Sequence, residues 1–546
     1  MNILRKIRTA VAVIVIAFLT FGFIDFAGLV NNPWLQKIQF GPALLSLSIV
    51  TLVVLLAVTF LFGRVYCSTV CPLGIFQDFV NWLAKKFNKK KKYGFRAEKP
   101  WLRWGVLAVL VIAWLCGFTF LVGLVEPYSA YGRIASQLFR PVYLLGNNLL
   151  AGISESTGSY RFFKMAVSIK SVAAFVTAIL TLLIIAHLSY HHGRTWCNTI
   201  CPVGTLLGLV SRKPVFGIRI DTDKCNHCQA CSKKCKAFCI DSANQKIDYS
   251  RCIDCFDCID SCRQKALSYG LPRNAQNCGL PKNAQNCGQP KNAQADADAE
   301  SANSGINACT ATDAPDRCTN EFAATAPEKN DVVDESRRDF LKSSLVLAAL
   351  VPSAIEAKVT GKKDERIPMS PPGSESHRNL LQHCTACHLC VSKCPSHVLQ
   401  PAGLEYGLGG IMQPVMKFTD GYCNYDCTLC SEVCPNGAIK PITVEQKHRT
   451  QPGHVVFDVS KCIVPLNRTS CGACAEHCPV QAIHMVPFEG GLTIPETTPE
   501  MCVGCGGCEF ICPKKAVHIE GNEVHQEARL PEQDQNISTE DLDFGF

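Results

Sequence analysis

Thirty-four cysteines stand in this 546-residue chain, and they are gathered into islands. Residues 225–262 hold nine of them and residues 384–512 hold sixteen. The first island reads Cys225-x2-Cys228-x2-Cys231-x3-Cys235, then Cys252-x2-Cys255-x2-Cys258-x3-Cys262. Three thiolates in so tight a loop can hold one face of a 4Fe–4S cube. In tandem runs of this spacing the fourth cysteine ligates the other cube. The spacing therefore predicts one cluster on Cys225, Cys228, Cys231 and Cys262, and a second on Cys252, Cys255, Cys258 and Cys235. Zinc also accepts four thiolates, but two complete runs in tandem favour iron–sulfur chemistry. Lys236 and Arg263 stand where proline usually follows the fourth cysteine, and Cys239 is left over.

The second island holds four runs. They are Cys384, Cys387, Cys390 and Cys394; Cys423, Cys427, Cys430 and Cys434; Cys462, Cys471, Cys474 and Cys478; and Cys502, Cys505, Cys508 and Cys512. A proline follows every fourth cysteine. Exchange between adjacent runs would lend Cys434 to the first run and Cys394 to the second, with Cys478 and Cys512 exchanged likewise. Pairing the first run with the last, and the middle two together, is equally allowed by spacing. The third run carries eight residues between Cys462 and Cys471, expected to bulge as a loop towards a partner. The two islands together predict about six 4Fe–4S clusters.

A third cysteine pattern is an internal repeat. Gly63-Arg64-Val65-Tyr66-Cys67-Ser68-Thr69-Val70-Cys71-Pro72-Leu73-Gly74 matches Gly193-Arg194-Thr195-Trp196-Cys197-Asn198-Thr199-Ile200-Cys201-Pro202-Val203-Gly204 at a shift of 130 residues. Cysteines four apart share one helical face, though the following proline leaves the local conformation open. Two hairpins related by a pseudo-repeat would gather Cys67, Cys71, Cys197 and Cys201. A tetrathiolate iron or iron–sulfur centre, a thiol/disulfide pair and a purely structural repeat are all open.

The elements that must position these groups begin in the membrane. Uncharged apolar stretches lie at Thr9–Ile24, Ile38–Gly63, Trp104–Val125 and Ser171–Gly193. A bilayer crossing takes roughly 20 residues; three of these exceed that and the first, 16 residues long, can extend through Phe26–Val30, so they predict four spans. Charged residues are 18% of the chain, below the roughly 25% of a soluble domain. The net charge of +8 sits largely beside the apolar stretches, which points to topology rather than to nucleic acid. Loop 64–103 carries ten basic and two acidic residues and is expected to be cytoplasmic; loop 126–170 has five basic residues and is expected to face out. Both Cys-x3-Cys-Pro motifs then lie at the cytoplasmic face. Intramembrane or interfacial ionisable groups are candidates for a quinone site: Asp25, Glu126, His187 and His191.

Residues 271–335 read as a disordered, repeat-containing linker, with Cys278, Cys287, Cys309 and Cys318 as by-products of the repeat. Ser336-Arg337-Arg338-Asp339-Phe340-Leu341-Lys342 and the uncharged run Ser343–Ile355 follow. They resemble a twin-arginine export signal, expected to stay uncleaved as an anchor over 336–357. The sequence shows no Gly-rich nucleotide loop, no Cys-x2-Cys-His haem attachment and no nucleophile motif, so terminal catalysis is expected in a partner.

These motifs resemble the quinol-dehydrogenase pair that serves periplasmic nitrate reductases. Residues 1–265 resemble its four-span membrane subunit of the NapH type, with the two Cys-x3-Cys-Pro motifs and a ferredoxin tail. Residues 336–520 resemble its exported four-cluster ferredoxin of the NapG type. The implied fold is an all-α membrane bundle of four spans plus one internal signal anchor, with two bacterial-type α+β ferredoxin modules. The expected organisation is a membrane domain (1–212), a cytoplasmic two-cluster ferredoxin (213–270), the linker, the anchor, a periplasmic four-cluster ferredoxin (375–525) and a tail (526–546). The resemblance implies a bacterial inner-membrane protein. It would oxidise quinol from the membrane pool and deliver electrons to a periplasmic reductase or small carrier, after passing the twin-arginine machinery. Electron supply for maturation of a periplasmic metalloenzyme, or a conduit outward from cytoplasmic ferredoxin, are the alternatives.

Overall fold

The computed structural model describes residues 3–25, 34–88, 92–158, 162–167, 170–271 and 367–529. The linker, the four cysteines within it and the internal signal anchor lie outside the described residues.

Two helices are long and apolar enough to cross a membrane, α1 (Ile3–Ile24) and α11 (Val172–His192). At 1.5 Å per residue each runs about 32 Å, the depth of a hydrocarbon core. Ser171 caps α11, its hydroxyl accepting from the Ala174 N–H.

The other two expected spans are not continuous helices in the structure. The second is divided into α3 (Phe40–Leu45) and α4 (Ile49–Phe62), after a short α2 (Trp34–Lys37). The third is divided into α7 (Pro100–Leu115) and α8 (Thr119–Val125), after α5 (Tyr66–Thr69) and α6 (Pro72–Phe87). The physical reason is the same at both breaks. Leu47 and Gly117 adopt left-handed φ values of 52° and 84°. Ser48 N–H then reaches back to the Ala43 carbonyl and Phe118 N–H to the Ala113 carbonyl. Leu47 and Gly117 N–H bond the carbonyls of Leu44 and Trp114. Both are six-to-one helix terminations that satisfy the last carbonyls and turn the chain. The outer faces remain apolar: Val50, Val53, Val109 and Ile112 are all exposed.

Beyond α8 come α9 (Pro127–Ile134), a π-helical turn (Ala135–Phe139) and α10 (Arg140–Ser156). The second cysteine repeat forms α12 (Thr195–Thr199) and α13 (Pro202–Val210). Two ferredoxin-like modules pack against this helical body at opposite ends of α1. At its start Arg5 pairs with Asp257 (2.9 Å) and Asp260 (2.8 Å) of the first cysteine island. At its end Asp25 pairs with Lys393 of the second island (3.4 Å).

Each module is built on antiparallel strand pairs around its cysteine runs. In the first, β1 (Gly217–Ile220) pairs with β4 (Leu267–Gly270), bracketing both runs, and β2 (Ile240–Asp241) pairs with β3 (Lys246–Ile247) between them. In the second, β5 (Leu399–Pro401) pairs with β6 (Pro414–Met416). The long pair β7 (Thr450–Phe457) and β10 (Val517–Glu527) encloses the hairpin β8 (Ile483–Pro487) and β9 (Thr493–Thr497).

Candidate functional site

The backbone of the cysteine runs is shaped for metal thiolates. In four runs the residues two and four after the first cysteine are left-handed: His227 and Gln229, Asp254 and Phe256, Ala386 and His388, Gly504 and Gly506. In all six runs the residue three after the fourth cysteine is left-handed too: Phe238, Lys265, His397, Gly437, Gln481 and Lys515. These turns aim N–H groups at sulfur. Ala266, Ala482 and Ala516 donate to Cys262, Cys478 and Cys512 at 3.2–3.3 Å, and Ile439 donates to Cys434 at 3.4 Å. Bare thiols there are poor acids: burial pushes Cys387 and Cys502 up to about 12. A buried thiolate needs a compensating cation, and a cluster supplies it. The donor set therefore fits 4Fe–4S ligation.

The second island resolves its pairing. One cavity is lined by Cys394, Cys423, Cys427 and Cys430, a second by Cys478, Cys502, Cys505 and Cys508, and a third by Cys462, Cys471, Cys474 and Cys512. Cys434 faces Cys384, Cys387 and Cys390. This is exchange between adjacent runs, and the alternative pairing of first with last is not what the chain forms. In the first island Cys235 likewise faces Cys252, Cys255 and Cys258. The leftover Cys239 is buried 3.5 Å from Cys235.

The sets stand in an order. Cys390 of the first faces Cys430 of the second. The Cys423 N–H donates to the Cys505 carbonyl (2.8 Å), joining the second to the set around Cys505. Cys478 and Cys512 tie that set to the one containing Cys462. Its eight-residue insertion begins with a short helix, Ile463–Asn467, and exposes Leu466 at the far end.

The repeated motif folds differently from a shared helical face. Cys67 lies within α5, the chain breaks at Val70, and Cys71 is the N-cap of α6 with Pro72 in the first turn; Cys197, Ile200, Cys201 and Pro202 repeat this across α12 and α13. Proline suits a first helical turn and not its interior. All four are free thiols, each 4% exposed. They form one cluster, since Cys71 stands in the field of Cys67, Cys197 and Cys201. Two fully buried arginines cross-brace it. Arg64 Nη2 lies 3.8 Å from Cys67 Sγ and donates to the Cys197 carbonyl (3.2 Å). Arg194 Nη1 lies 3.7 Å from Cys197 Sγ and donates to the Cys67 carbonyl (3.1 Å). Gly74 and Gly204 permit this, because a Cβ at either would fall 2.3 and 2.1 Å from those same carbonyls. Burial pushes the Cys67 thiol up, against the pull of Arg64. Two guanidinium groups beside four buried sulfurs give the charge complement that a tetrathiolate centre requires. Among the described residues no three His, Cys, Asp or Glu side chains close on a single ion.

This group of four cysteines is joined to the first island. Arg64 Nη1 donates to the Ser250 carbonyl (2.9 Å), two residues before Cys252. Lys236, the departure from proline, is buried and bonds Asp78 (2.9 Å) and Asp257 (3.3 Å). Asp78 also takes Arg8 and Arg194. Burial would raise its carboxyl, but Arg194, Lys236 and Arg8 outweigh that and hold it well below the usual range.

At the other end, α8 and α9 receive the first run of the second island. Ser129 donates to the Thr385 hydroxyl (2.7 Å), Arg133 to the Ala386 carbonyl (3.3 Å) and Thr119 to the Gln382 carbonyl (3.3 Å). A Cβ at Gly132 would fall 2.7 Å from the Cys387 carbonyl. His388 Nε2 lies 3.0 Å from the Met412 carbonyl, which can only accept, so Nδ1 accepts from Gln137 Nε2 at 3.3 Å. Burial and the Arg133 charge push this imidazole down to about 3, so it stays neutral.

The four expected quinone-site groups are not brought together. Asp25 is spent on Lys393. Glu126 caps α9, accepting from the Tyr128 and Ser129 N–H groups. His187 and His191 lie with ring centroids 4.7 Å apart, tilted, on the exposed side of α11. Gln137, Arg140, Lys170 and His397 line a cleft instead; in the sequence Arg140 and Lys170 stand out only as two of the five basic residues of loop 126–170, and the other two carry no signal.

Comparison with known proteins agrees with this chemistry. Residues 45–90 and 173–220 each match the family described as 4Fe-4S binding domain, one match on each Cys-x3-Cys-Pro copy. Residues 467–516 match the 4Fe-4S dicluster domain. An uncharacterized protein of Methanocaldococcus jannaschii is 24% identical over 49% of this chain and 87% of its own length. The ferredoxin-type protein NapH of Escherichia coli is 26% identical over 37% of this chain and 60% of its own. The ferredoxin-type protein NapF of the same organism is 28% identical over 24% of this chain and 73% of its own. No solved structure matches the chain. The chain is an iron–sulfur electron-transfer protein related to the ferredoxin-type proteins NapH and NapF.

Proposed function

We propose that this chain is a membrane-anchored electron conduit that oxidises quinol and passes electrons to a periplasmic reductase such as nitrate reductase. The observation that carries the reading is the docking of the first run of the second island on α8 and α9 through buried polar contacts. It puts the first of four consecutive ligand sets against the membrane body and the last at an exposed loop. The 24 cysteines of the six runs would hold six 4Fe–4S clusters, which supply one-electron carriers when bound. Cys67, Cys71, Cys197 and Cys201 would hold a further centre; the 4Fe-4S family match on both copies supports this.

The chain's own groups do the rest. Arg64 and Arg194 offset charge at the four repeated cysteines. Ser129, Arg133 and Thr119 hold the second island in place, and Asp78 holds the first. The reading includes four membrane passages, the broken second and third among them, with the first island cytoplasmic and the second exported through the Arg337-Arg338 signal. The two salt-bridged ends of α1 support opposite faces for the two islands.

The test is made in membranes of a strain lacking this chain. Quinol-dependent turnover of the periplasmic reductase should fall while the amount of cofactor-loaded reductase stays the same. Normal turnover per loaded reductase with reduced loading would assign the chain to maturation instead.

A further inference from the structure

Oxidation of quinol requires a place where its headgroup binds, and the four ionisable groups expected from sequence do not form one. A cleft elsewhere does. Its empty space is about 490 Å³, open solvent included, between the π-helical turn with the start of α10, the residues Ala166, Val167 and Lys170, and the first run of the second island. One wall carries Gln137, Arg140 and Leu144, and the facing wall carries Val391 and His397. Val167 and Lys170 close the third side.

Two buried nitrogen atoms in this lining have no partner, Arg140 Nε and His397 Nδ1. Arg140 as a residue is only 8% exposed. A buried polar atom without a hydrogen bond costs stability and calls for an explanation. Other lining groups have partners: Lys170 Nζ donates to the Val391 carbonyl (2.9 Å), Gln137 bonds His388, and the Ser136 and Ser392 hydroxyls donate to the Arg133 and Leu389 carbonyls. The cleft therefore offers a guanidinium N–H donor and an imidazole nitrogen to a ligand with flanking apolar walls. A π-helical turn interrupts an α-helix at a cost and is frequent at functional sites; here it runs from Ala135 to Phe139 and carries Gln137. The adjoining helix exposes Val142, Leu145 and Leu149, an apolar approach to the cleft for a lipid-soluble ligand. Val391 follows Cys390 of the first ligand set and His397 follows Cys394 of the second, so a bound ligand would lie beside both.

We propose that this cleft binds the headgroup of a membrane quinol, with Arg140 Nε and His397 Nδ1 as hydrogen-bond partners of its oxygens. The proposal rests on the quinol reading above and gives it a location. Both residues are binding residues, and neither is a metal ligand.

The test uses the full chain in nanodiscs and the fluorescent quinol analogue 2-heptyl-4-hydroxyquinoline N-oxide. The wild type should bind it saturably. Arg140→Gln and His397→Gln should each weaken binding about ten-fold, the equivalent of about 1.4 kcal/mol, while iron content and visible spectrum stay unchanged. Leu144→Trp, which fills the cleft and leaves its polar groups in place, should abolish binding and covers the case in which Arg140→Gln loses iron. His191→Gln should have no effect. Wild-type affinity in all three cleft variants, with quinol still reducing the protein, would overturn the cleft and leave the quinol reading standing. Failure of the wild type both to bind the analogue and to be reduced by quinol would overturn both. Loss of co-purifying phosphatidylglycerol in Arg140→Gln, at unchanged analogue affinity, would assign the cleft to an anionic lipid and also overturn the proposal.

Discussion

At the scale of single residues, charge decides how the cysteine centres are held. Asp78 gathers Arg8, Arg194 and Lys236 within 2.8–2.9 Å. Removing one partner of a buried ionic network costs about 3–5 kcal/mol, because the remaining charges stay desolvated. Asp78→Asn should therefore destabilise the contact between the first island and the helices by about that amount, read as a lowered thermal midpoint and faster iron loss from the first island. Lys236 was visible in the sequence only as a missing proline. Its reason is tertiary: the ammonium reaches an aspartate about 160 residues away in the chain. The Cys-x3-Cys-Pro motif was legible as a repeat but not as a shape. Spacing of four suggested one helical face, whereas proline forces the second cysteine into an N-cap. Four sulfurs between two guanidinium groups predict that Cys67→Ser or Cys197→Ser removes a spectroscopic signal distinct from the six cubes and impairs electron transfer. Full activity and unchanged iron in both variants would leave a structural repeat.

At the scale of elements, docking depends on close backbone approach. Gly123 and Gly132 face the carbonyls of Thr385 and Cys387, and a Cβ at Gly123 would fall 2.1 Å from the first. Backbone cannot yield as a flexible side chain can. Gly123→Val should slow quinol-fed reduction of the second island at least about ten-fold, while iron content and dithionite-reducible absorbance stay at wild-type levels; stopped-flow absorbance checks it. The runs of the second island were legible as spacings, but their pairing was not, since spacing alone permits two exchanges and the packing of Cys434 beside Cys387 and of Cys394 beside Cys423 selects one. The breaks in the second and third apolar stretches were half legible. Gly117 is a residue that left-handed backbone favours, but Leu47 adopts the same conformation with nothing in its type to announce it.

At the scale of the whole molecule, two groups of ligand sets stand at opposite ends of a 22-residue helix. Two consequences are measurable. Six ligand sets call for about 24 iron per chain from the runs alone, and the repeated cysteines add to that. Anaerobic iron and acid-labile sulfide analysis checks it; a value near eight would mean that the second island holds no clusters. Reporter fusions after Lys213 and after Phe546 should report opposite sides of the membrane, and Arg337→Lys with Arg338→Lys should trap the second island inside. The central claim, that quinol feeds these centres, is tested most directly by mixing the anaerobically purified, oxidised full chain with a water-soluble quinol and recording the visible and paramagnetic signals. The account predicts bleaching of iron–sulfur absorbance and the appearance of reduced-cluster signals, abolished by the quinol analogue. Clusters that dithionite reduces and quinol leaves oxidised would contradict it.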